Sequence, residues 1–267
     1  MLPLVRISSS ISNFKEDLLG RTKCKEWKWN IFTPTVFFGV YHWLDILRIV
    51  IHRGEKKVFF CGSDILNLTR FRAFILDGLS FDNKFYCENG IEQKLLLKKE
   101  IFAEILPMIF TDFELDESSF VPSRTPHVYL TAHEGRQAEY GWALVEEIAW
   151  MVPDVTFHLY GASWNTKHKN VIIHGKVPKR QFNEEIKGYH AALRCNEVDG
   201  FSEIVAKSIL EGQYPITRIK YFDIDNYETT NELLYKLEQL KEKKFSNVES
   251  ITWYTRLQEN LNQLLTF

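Results

Sequence analysis

Short apolar runs alternate with amphipathic stretches along most of the chain, and the two periods separate strands from helices. In the first half, residues 36–40, 57–61, 84–87 and 105–109 are apolar runs of strand length. Between them, residues 41–53 set Leu44, Leu47 and Ile51 at helical spacing, and residues 66–79 do the same with Phe71, Phe74, Ile75 and Leu79. Residues 91–99 predict a further helix. A polar, acidic stretch, residues 111–125, contains Pro122, ends at Pro126 and reads as a linker. The rhythm then restarts, with strands predicted at 127–132, 155–160, 170–174, 191–195 and 215–220 and helices at 137–151, 178–190 and 201–210. Helices at 226–244 and 248–265 close the chain, the last with Tyr254, Leu257, Leu261 and Leu264 as an apolar seam. Alternation in two halves predicts an α/β protein of two domains, each with a mostly parallel sheet. The boundaries fall at 1–123 and 124–246, with 247–267 a terminal helix placed to pack back on the first domain. Ligands of such sheets bind beyond the carboxyl ends of the strands, and a facing pair leaves a cleft.

Composition changes this picture in only a few places. The 267 residues carry 33 Lys+Arg against 35 Asp+Glu, a balance that argues against a dedicated nucleic-acid binder. With 45% hydrophobic and 25% charged residues, wholesale disorder is excluded. Aromatic residues reach 14%, an excess that calls for placement. Phe71, Phe74, Phe157 and Phe182 fall at expected core positions. Trp27, Trp29, Trp43 and Trp164 fall near loops, where a sugar face or an interface would use them. Cys24, Cys61, Cys87 and Cys195 lack zinc-ligand spacing, so no metal is expected. The first twelve residues hold no secretory pattern, and the expected location is the cytoplasm. Residues 35–51 are apolar but contain Asp45 and Arg48, too short and too charged to span a bilayer. Lys25, Trp27, Lys28 and Trp29 mix cations with indoles as interfacial anchors do; packing on the domain's own surface is the favoured reading. Peripheral contact with the inner face of a membrane stays open.

Two segments carry candidate chemistry, each between a predicted strand and a predicted helix. In His133-Glu134-Gly135-Arg136, glycine permits close backbone approach, the helix start offers free N–H groups, and Arg136 is a fork suited to a diphosphate. The plain alternative for Arg136 is a surface ion pair. In Asp199-Gly200-Phe201-Ser202-Glu203, Asp199 or Ser202 serves either as a helix cap or as part of a ligand site. In the second case the N–H groups of Phe201, Ser202 and Glu203 meet a phosphate and Asp199 meets a sugar hydroxyl. Arg194 lies on the strand between the two segments.

Residues 127–217 resemble the donor-binding domain of retaining GT-B glycosyltransferases of the family 4 type. Gly135-Arg136 followed by Tyr140-Gly141 matches that family's Gly-Arg, then Lys-Gly. Pro153-Asp154-Val155 through Tyr160-Gly161 matches its P-D-V strand, and Val171 through Pro178 its G-x-V segment. Asp199-Gly200-Phe201-Ser202, Gly212 and Pro215-Ile216 resemble its E-G-F and G-x-P-V signature. In the first half, Cys61-Gly62-Ser63-Asp64 resembles the H-G-x-D turn and Cys87-Glu88-Asn89 the S-x-x turn. Gly39-Val40-Tyr41-His42 is a strand-end loop placed to face the cleft. Three positions depart: Asp199 stands for the first Glu of the E-x7-E pair, Lys207 for the second, and Tyr140 for the phosphate-binding Lys.

The resemblance implies two Rossmann-like domains facing across a cleft, the first a pared-down acceptor domain and the second a donor domain. It implies a hexosyltransferase-type enzyme that takes sugar from a UDP- or GDP-sugar with retention, without metal or cofactor. The acceptor is a glycan, a lipid-linked sugar or another hydroxyl compound; the oligomeric state is left open. The carried-over roles are as follows. Arg136 and Asp199 are catalytic. The donor is bound by Gly135, Arg136, Lys176, Val177, Arg194, Asp199, Phe201, Ser202, Glu203 and Lys207. His42 and Asp64 lie on the acceptor side, each with a structural alternative. Lys207 supplies the cation missing at Tyr140 if it points at the diphosphate, and Glu211 is a substitute carboxylate. Two other readings remain: a catalytically degenerate GT-B-like scaffold, which Lys207 favours, and a GT-B sugar-nucleotide epimerase.

Overall fold

The computed structural model describes residues 2–78, 83–110, 114–116, 118, 120–221 and 224–267. Leu79 of the second predicted helix and residues 111–113, 117 and 119 of the predicted linker lie outside them. The chain forms two compact units. The first comprises Met1–Asp112, Val198–Phe201 and Thr255–Phe267, and the second Phe113–Glu197 and Ser202–Tyr254.

The first unit is built on strands β1 (Leu4–Ile7), β2 (Lys25–Glu26), β3 (Thr35–Phe38), β4 (Lys56–Phe59), β5 (Asn83–Cys87) and β6 (Ala103–Ile105). They form one parallel sheet in the order β2-β1-β3-β4-β5-β6. Helices α1 (Lys15–Thr22), α2 (Trp43–Ile51), α3 (Ser63–Asn67), α4 (Arg70–Gly78) and α5 (Gly90–Leu97) connect them. Phe37 and Val58 pack with Ile46, Ile49, Ala73 and Leu96 of the helices on one face. Val5, Val36, Phe38 and Phe59 pack with Leu18 and with Leu261 and Leu264 near the C-terminus on the other.

The second unit contains β7 (His127–Thr131), β8 (Thr156–Tyr160), β9 (Val171–Gly175), β10 (Ala191–Arg194) and β11 (Ile216–Thr217), with α6 (Trp142–Ile148), α7 (Lys179–Glu185), α8 (Glu203–Leu210) and α9 (Thr230–Gln239). Its parallel sheet runs β11-β10-β7-β8-β9. Alternation along β7 covers both faces: Val128 and Leu130 pack with Trp142, Val145 and Leu237, while Tyr129 packs with Phe182 and Ile204. A final helix, α10 (Ser250–Leu265), follows. Its buried stripe is Trp253, Leu257, Leu261 and Leu264, so the seam begins at Trp253 and not at Tyr254. Each fully buried leucine contributes about 1.5–3 kcal/mol.

Strand order puts a reversal point in each sheet, between β7 and β10 in the second unit and between β1 and β3 in the first. Crevices at such points, beyond the carboxyl ends of the strands, are where open α/β sheets take ligands.

The structure differs from the sequence reading in several places: β2 and α1 are not predicted, and β6 overlaps the predicted strand 105–109 only at Ile105. β1 was not expected, because its apolar run is only four residues long and broken by Arg6. Predicted helix 66–79 starts afresh at α4 because the Thr69 carbonyl accepts from Ala73 N, 2.9 Å, and its hydroxyl from Arg72 N, 3.3 Å. That break turns Phe71 and Phe74 out to solvent, 64% and 67% exposed, while Phe157 and Phe182 are buried as expected. Trp27 is buried, with its indole N–H donated to the Asn30 carbonyl at 2.6 Å; Trp29 beside it is exposed. Among the described residues no helix is long and apolar enough to cross a membrane.

Candidate functional site

In the second unit, the chain leaves β7 through Ala132 and turns at Gly135, whose φ of +82° suits glycine and whose missing side chain faces open space. A second turn, at Gly141 with φ +89°, is obligatory for another reason: a Cβ there would collide with Cys195, next to the end of β10. Gly141 caps α6 and thereby fixes Tyr140 at the reversal point. The Tyr140 ring collects cations. The Arg194 guanidinium carbon lies 4.4 Å from its centroid and that of Arg136 lies 5.3 Å away, with the His133 ring edge-on at 5.7 Å.

Arg194, the last residue of β10, is buried, whereas Arg136 is half-exposed and forked onto Glu139, its Nε 2.8 Å from Oε2. That fork holds the Glu139 carboxyl below its ordinary range. Both readings of Arg136 therefore meet in one place: it is an ion-pair partner, and it stacks at the strand ends. Glu134 ties this loop to the next, accepting from Ser163 N at 3.0 Å and Ser163 Oγ at 2.9 Å. Lys176, exposed, and Val177, half-buried, follow β9.

Ser202 occupies the cap position of α8 without a side-chain cap bond. Glu203 opens that helix, and its Oε1 takes the Lys207 ammonium at 2.8 Å; Asn183 Oδ1 takes it at 3.0 Å. Lys207 is 2% exposed and lies 5.0 Å from the Phe182 ring centroid. A cation thus occupies the position at which the resembling family has its second carboxylate, and the carboxylate that answers it stands one turn earlier. Glu211 is buried at the C-terminal end of α8.

The remaining candidates belong to the first unit. The segment Val198–Phe201 is moored there by Asn89, which donates from Nδ2 to the Asp199 carbonyl at 2.7 Å while its Oδ1 caps α5. The Glu88 carboxylate accepts from Phe201 N. Gly62 and Gly200 meet backbone to backbone: a Cβ on Gly62 would come 2.7 Å from Gly200 N, and one on Gly200 would overlap the Glu88 carboxylate. Asp64 is fully buried and accepts from Val40 N at 2.9 Å and Cys61 N at 3.0 Å. Burial raises its carboxyl to about 6 despite those donors. Burial, then repulsion from Glu92, pushes Glu88 well above the ordinary range, and burial, with the charges of Asp64 and Asp199, does the same to Glu92.

His42 sits at the β1/β3 reversal, with Nε2 2.8 Å from Ser10 Oγ and its backbone N–H donated to Asp45 at 3.1 Å. Asp64 is thus a turn-closing residue, and His42 caps α2. Glu88, Asn89 and Glu92 went unrecognised as partners of the Asp199 loop, since only the fold brings them to it. Among the described residues no group of three or more His, Cys, Asp or Glu could hold a metal ion.

No protein-family model and no curated protein sequence matches the chain. Solved structures do. TarM is similar with a TM-score of 0.57 and 11% identity, over 87% of this chain and 52% of TarM, so the chain spans about half the length of that protein. HepE of Anabaena, determined in complex with UDP and glucose, gives 0.55 and 10% over 99% of this chain and 100% of HepE. The sucrose-phosphate synthase of Thermosynechococcus elongatus gives 0.54 and 9%, over 87% and 69%. The α/β architecture with two parallel sheets matches the GT-B fold of these neighbours.

Proposed function

We propose that the protein is a glycosyltransferase that moves a hexosyl unit from a UDP- or GDP-sugar to a hydroxyl acceptor, with retention and without metal or cofactor. The observation that carries the reading is the Arg194–Tyr140–Arg136 stack at the β7/β10 reversal point, the place where this kind of sheet takes its ligand. The GT-B fold supports it, as does the UDP and glucose bound by HepE.

In this reading residues 124–246 bind the donor and 1–123 the acceptor, with 247–267 a terminal helix. The sugar's anomeric C–O bond to the diphosphate breaks, a C–O bond to the acceptor forms, the acceptor hydroxyl loses its proton and the nucleoside diphosphate leaves. Arg136 and Arg194 stabilise charge on the departing diphosphate, aided by the N–H groups of Ser202 and Glu203, the expected third donor, Phe201 N–H, being taken by Glu88. Gly135 lets the backbone approach, Lys176 and Val177 frame the base, Asp199 holds sugar hydroxyls, and Lys207 holds Glu203 in place. His42 and Asp64 belong to the acceptor side, Asp64 by shaping its loop. The acceptor is a glycan or a lipid-linked sugar, met in the cytoplasm at the inner face of a membrane.

A second reading, a binding protein without transfer activity, is favoured by the Lys207–Glu203 pair, which removes the ribose-binding carboxylate from its family position. Donor hydrolysis without acceptor, measured over a panel of UDP- and GDP-sugars, separates the two. Release of one nucleoside diphosphate supports the transferase. Binding of UDP or GDP by calorimetry with no turnover of any donor supports the binding protein, and neither binding nor turnover overturns both.

A further inference from the structure

Two glutamates of the first unit are buried and have no part in the reaction described above. Glu88, directly after β5, is 3% exposed, and Glu92, in the first turn of α5, is 0% exposed. The Glu92 carboxylate accepts from Glu88 N at 2.7 Å and also from Asn89 N. That of Glu88 accepts from Phe201 N. Oε1 of each is buried without a hydrogen-bond partner. The charges that act most strongly on the pair are acids: Glu92 acts on Glu88, and Asp64 of α3 and Asp199 act on both. Tyr41 beyond β3, Cys61 beyond β4 and Cys87 of β5 feel Glu88 as well, and each of these is likewise an acid.

Burial disfavours each negative charge, and the first charge disfavours the second. One proton therefore stays on after a glutamate in water, at about 4.3, would have lost its own, and it belongs to the pair rather than to either residue. What the proton secures is the segment Val198–Phe201. Besides the bond from Phe201 N, that segment is held by Asn89 Nδ2 on the Asp199 carbonyl at 2.7 Å. Gly200 lies against the Glu88 carboxylate, where a Cβ would come 1.9 Å from Oε2. A second charge on the pair is relieved by water, and Gly200 covers it with backbone alone. Helix α5 is held better, by its Asn89 cap and by Leu96 in the core, so the segment gives way first.

We propose that the Glu88–Glu92 pair is a proton-operated latch on the Asp199 segment, closed while the pair keeps its proton and released when the proton leaves. The effect on catalysis rests on the role proposed for Asp199. The pair's contribution is complete below about 4.3 and is lost as pH rises through its value in the folded chain. The latch therefore opens on the alkaline side.

The test is hydrogen exchange of the full chain, read by mass spectrometry from about pH 5 to about pH 9, with each rate taken relative to its intrinsic value at that pH. Protection of residues 199–201 should fall at least about tenfold, the effect of one pH unit beyond loss of the proton, while that of β10 stays level. Glu92→Gln removes one of the two charges, and Glu88→Gln does so while keeping an oxygen for Phe201 N. Each should hold protection near its level at about pH 5. Level protection in the wild type, a fall shared by the whole chain, or a wild-type fall in either folded variant overturns the proposal. This measurement needs no sugar donor, so its failure leaves the transferase reading standing. With a donor that is turned over, the wild-type rate should fall over the same range and the Glu92→Gln rate should not. A wild-type rate that stays level while the segment loosens would detach the latch from the reaction.

Discussion

The Arg194 guanidinium carbon lies 4.4 Å from the centroid of the Tyr140 ring. Two strands separated by more than fifty residues of chain thus place a buried cation on an aromatic face where the resembling family uses a lysine. A cation over an aromatic ring is worth about 0.5–2 kcal/mol. If the stack orders Arg194 toward a diphosphate, Tyr140→Leu should weaken UDP binding by roughly 2- to 30-fold and Tyr140→Phe should leave it near wild type. Titration calorimetry checks this. Equal affinity in all three proteins would remove the stack from the site.

Arg136 is committed to Glu139 before any ligand arrives. Because this pair is half-exposed, breaking it should cost less than about 1 kcal/mol of stability. Glu139→Gln therefore frees the guanidinium and should raise UDP affinity a few-fold, roughly the worth of one exposed ion pair. Arg136→Ala, and Asp199→Asn in the other unit, should lower turnover at least about tenfold with the fold intact. Turnover of the wild-type order in both variants would sink their assignment.

Much of the fold was readable because its strands are apolar runs buried on both faces: β7, β8 and β10 lie within expected segments, and β3 and β4 each start one residue before theirs. What escaped notice depended on contacts the chain makes only when folded. β1 sits inside the first sheet, yet four residues with an arginine among them give too brief an alternation to stand out. The α3–α4 break rests on one threonine, and it sends two phenylalanines outward that helical spacing had assigned to the core. The site was legible where glycine carries a positive φ, at Gly135, Gly141 and Gly62. Its supports were not, since Cys195 beneath Gly141 and Glu88 beneath Gly200 are long-range neighbours.

One group in each unit, His158 in the second and Asp64 in the first, carries opposite pH dependence. In the second, His127 Nδ1 meets His158 Nε2 at 2.8 Å and His158 Nδ1 meets His174 Nε2 at 2.9 Å, with Tyr189 OH at 3.0 Å and Glu185 beyond His174 at 3.5 Å. Burial, then the neighbouring His127 and His174, push His158 down to about 3. A lowered histidine stabilises fully above its unfolded value of about 6.5 and loses that contribution as pH falls toward the folded value, by at most ~1.4 kcal/mol per pH unit. In the first unit, burial raises Asp64 to about 6, so its contribution is complete below the unfolded value and is lost as pH rises through about 6. Amide protection, taken relative to the intrinsic exchange rate at each pH, should therefore fall in β8 and rise in β4 from about pH 6.5 to pH 4.5. His158→Asn should flatten the β8 response. Parallel changes in both strands would contradict the opposition.

Gly200 and Glu88 occupy the same space up to a hydrogen atom. Gly200→Ala must displace the carboxylate that accepts from Phe201 N, an overpacking cost of about 1–3 kcal/mol. Glu88→Ala alone loses the acceptor. Because both changes act on one contact, the double variant should be less destabilised than the sum of the two, with a coupling above about 0.5 kcal/mol in urea unfolding. Additive losses would mean that the loop does not rest on Glu88.

Lys207 places a cation where the resembling family has a carboxylate, and Glu203 answers it one turn earlier. Lys207→Glu restores the family's carboxylate but buries it one turn from Glu203, with no cation to answer either. Glu203 is partly exposed, so the loss falls below the ~3–5 kcal/mol of a fully buried pair, and this variant should still be destabilised. The swap Glu203→Lys/Lys207→Glu keeps the pair and moves the carboxylate to the inner position. Its melting temperature should recover to near that of the wild type. If the donor's ribose lies at this position as proposed, one of its hydroxyls then meets a carboxylate, and UDP should bind about tenfold tighter, the worth of one hydrogen bond to a charged group. A folded swap that binds UDP no better would show that the inner carboxylate is not what the native chain lacks.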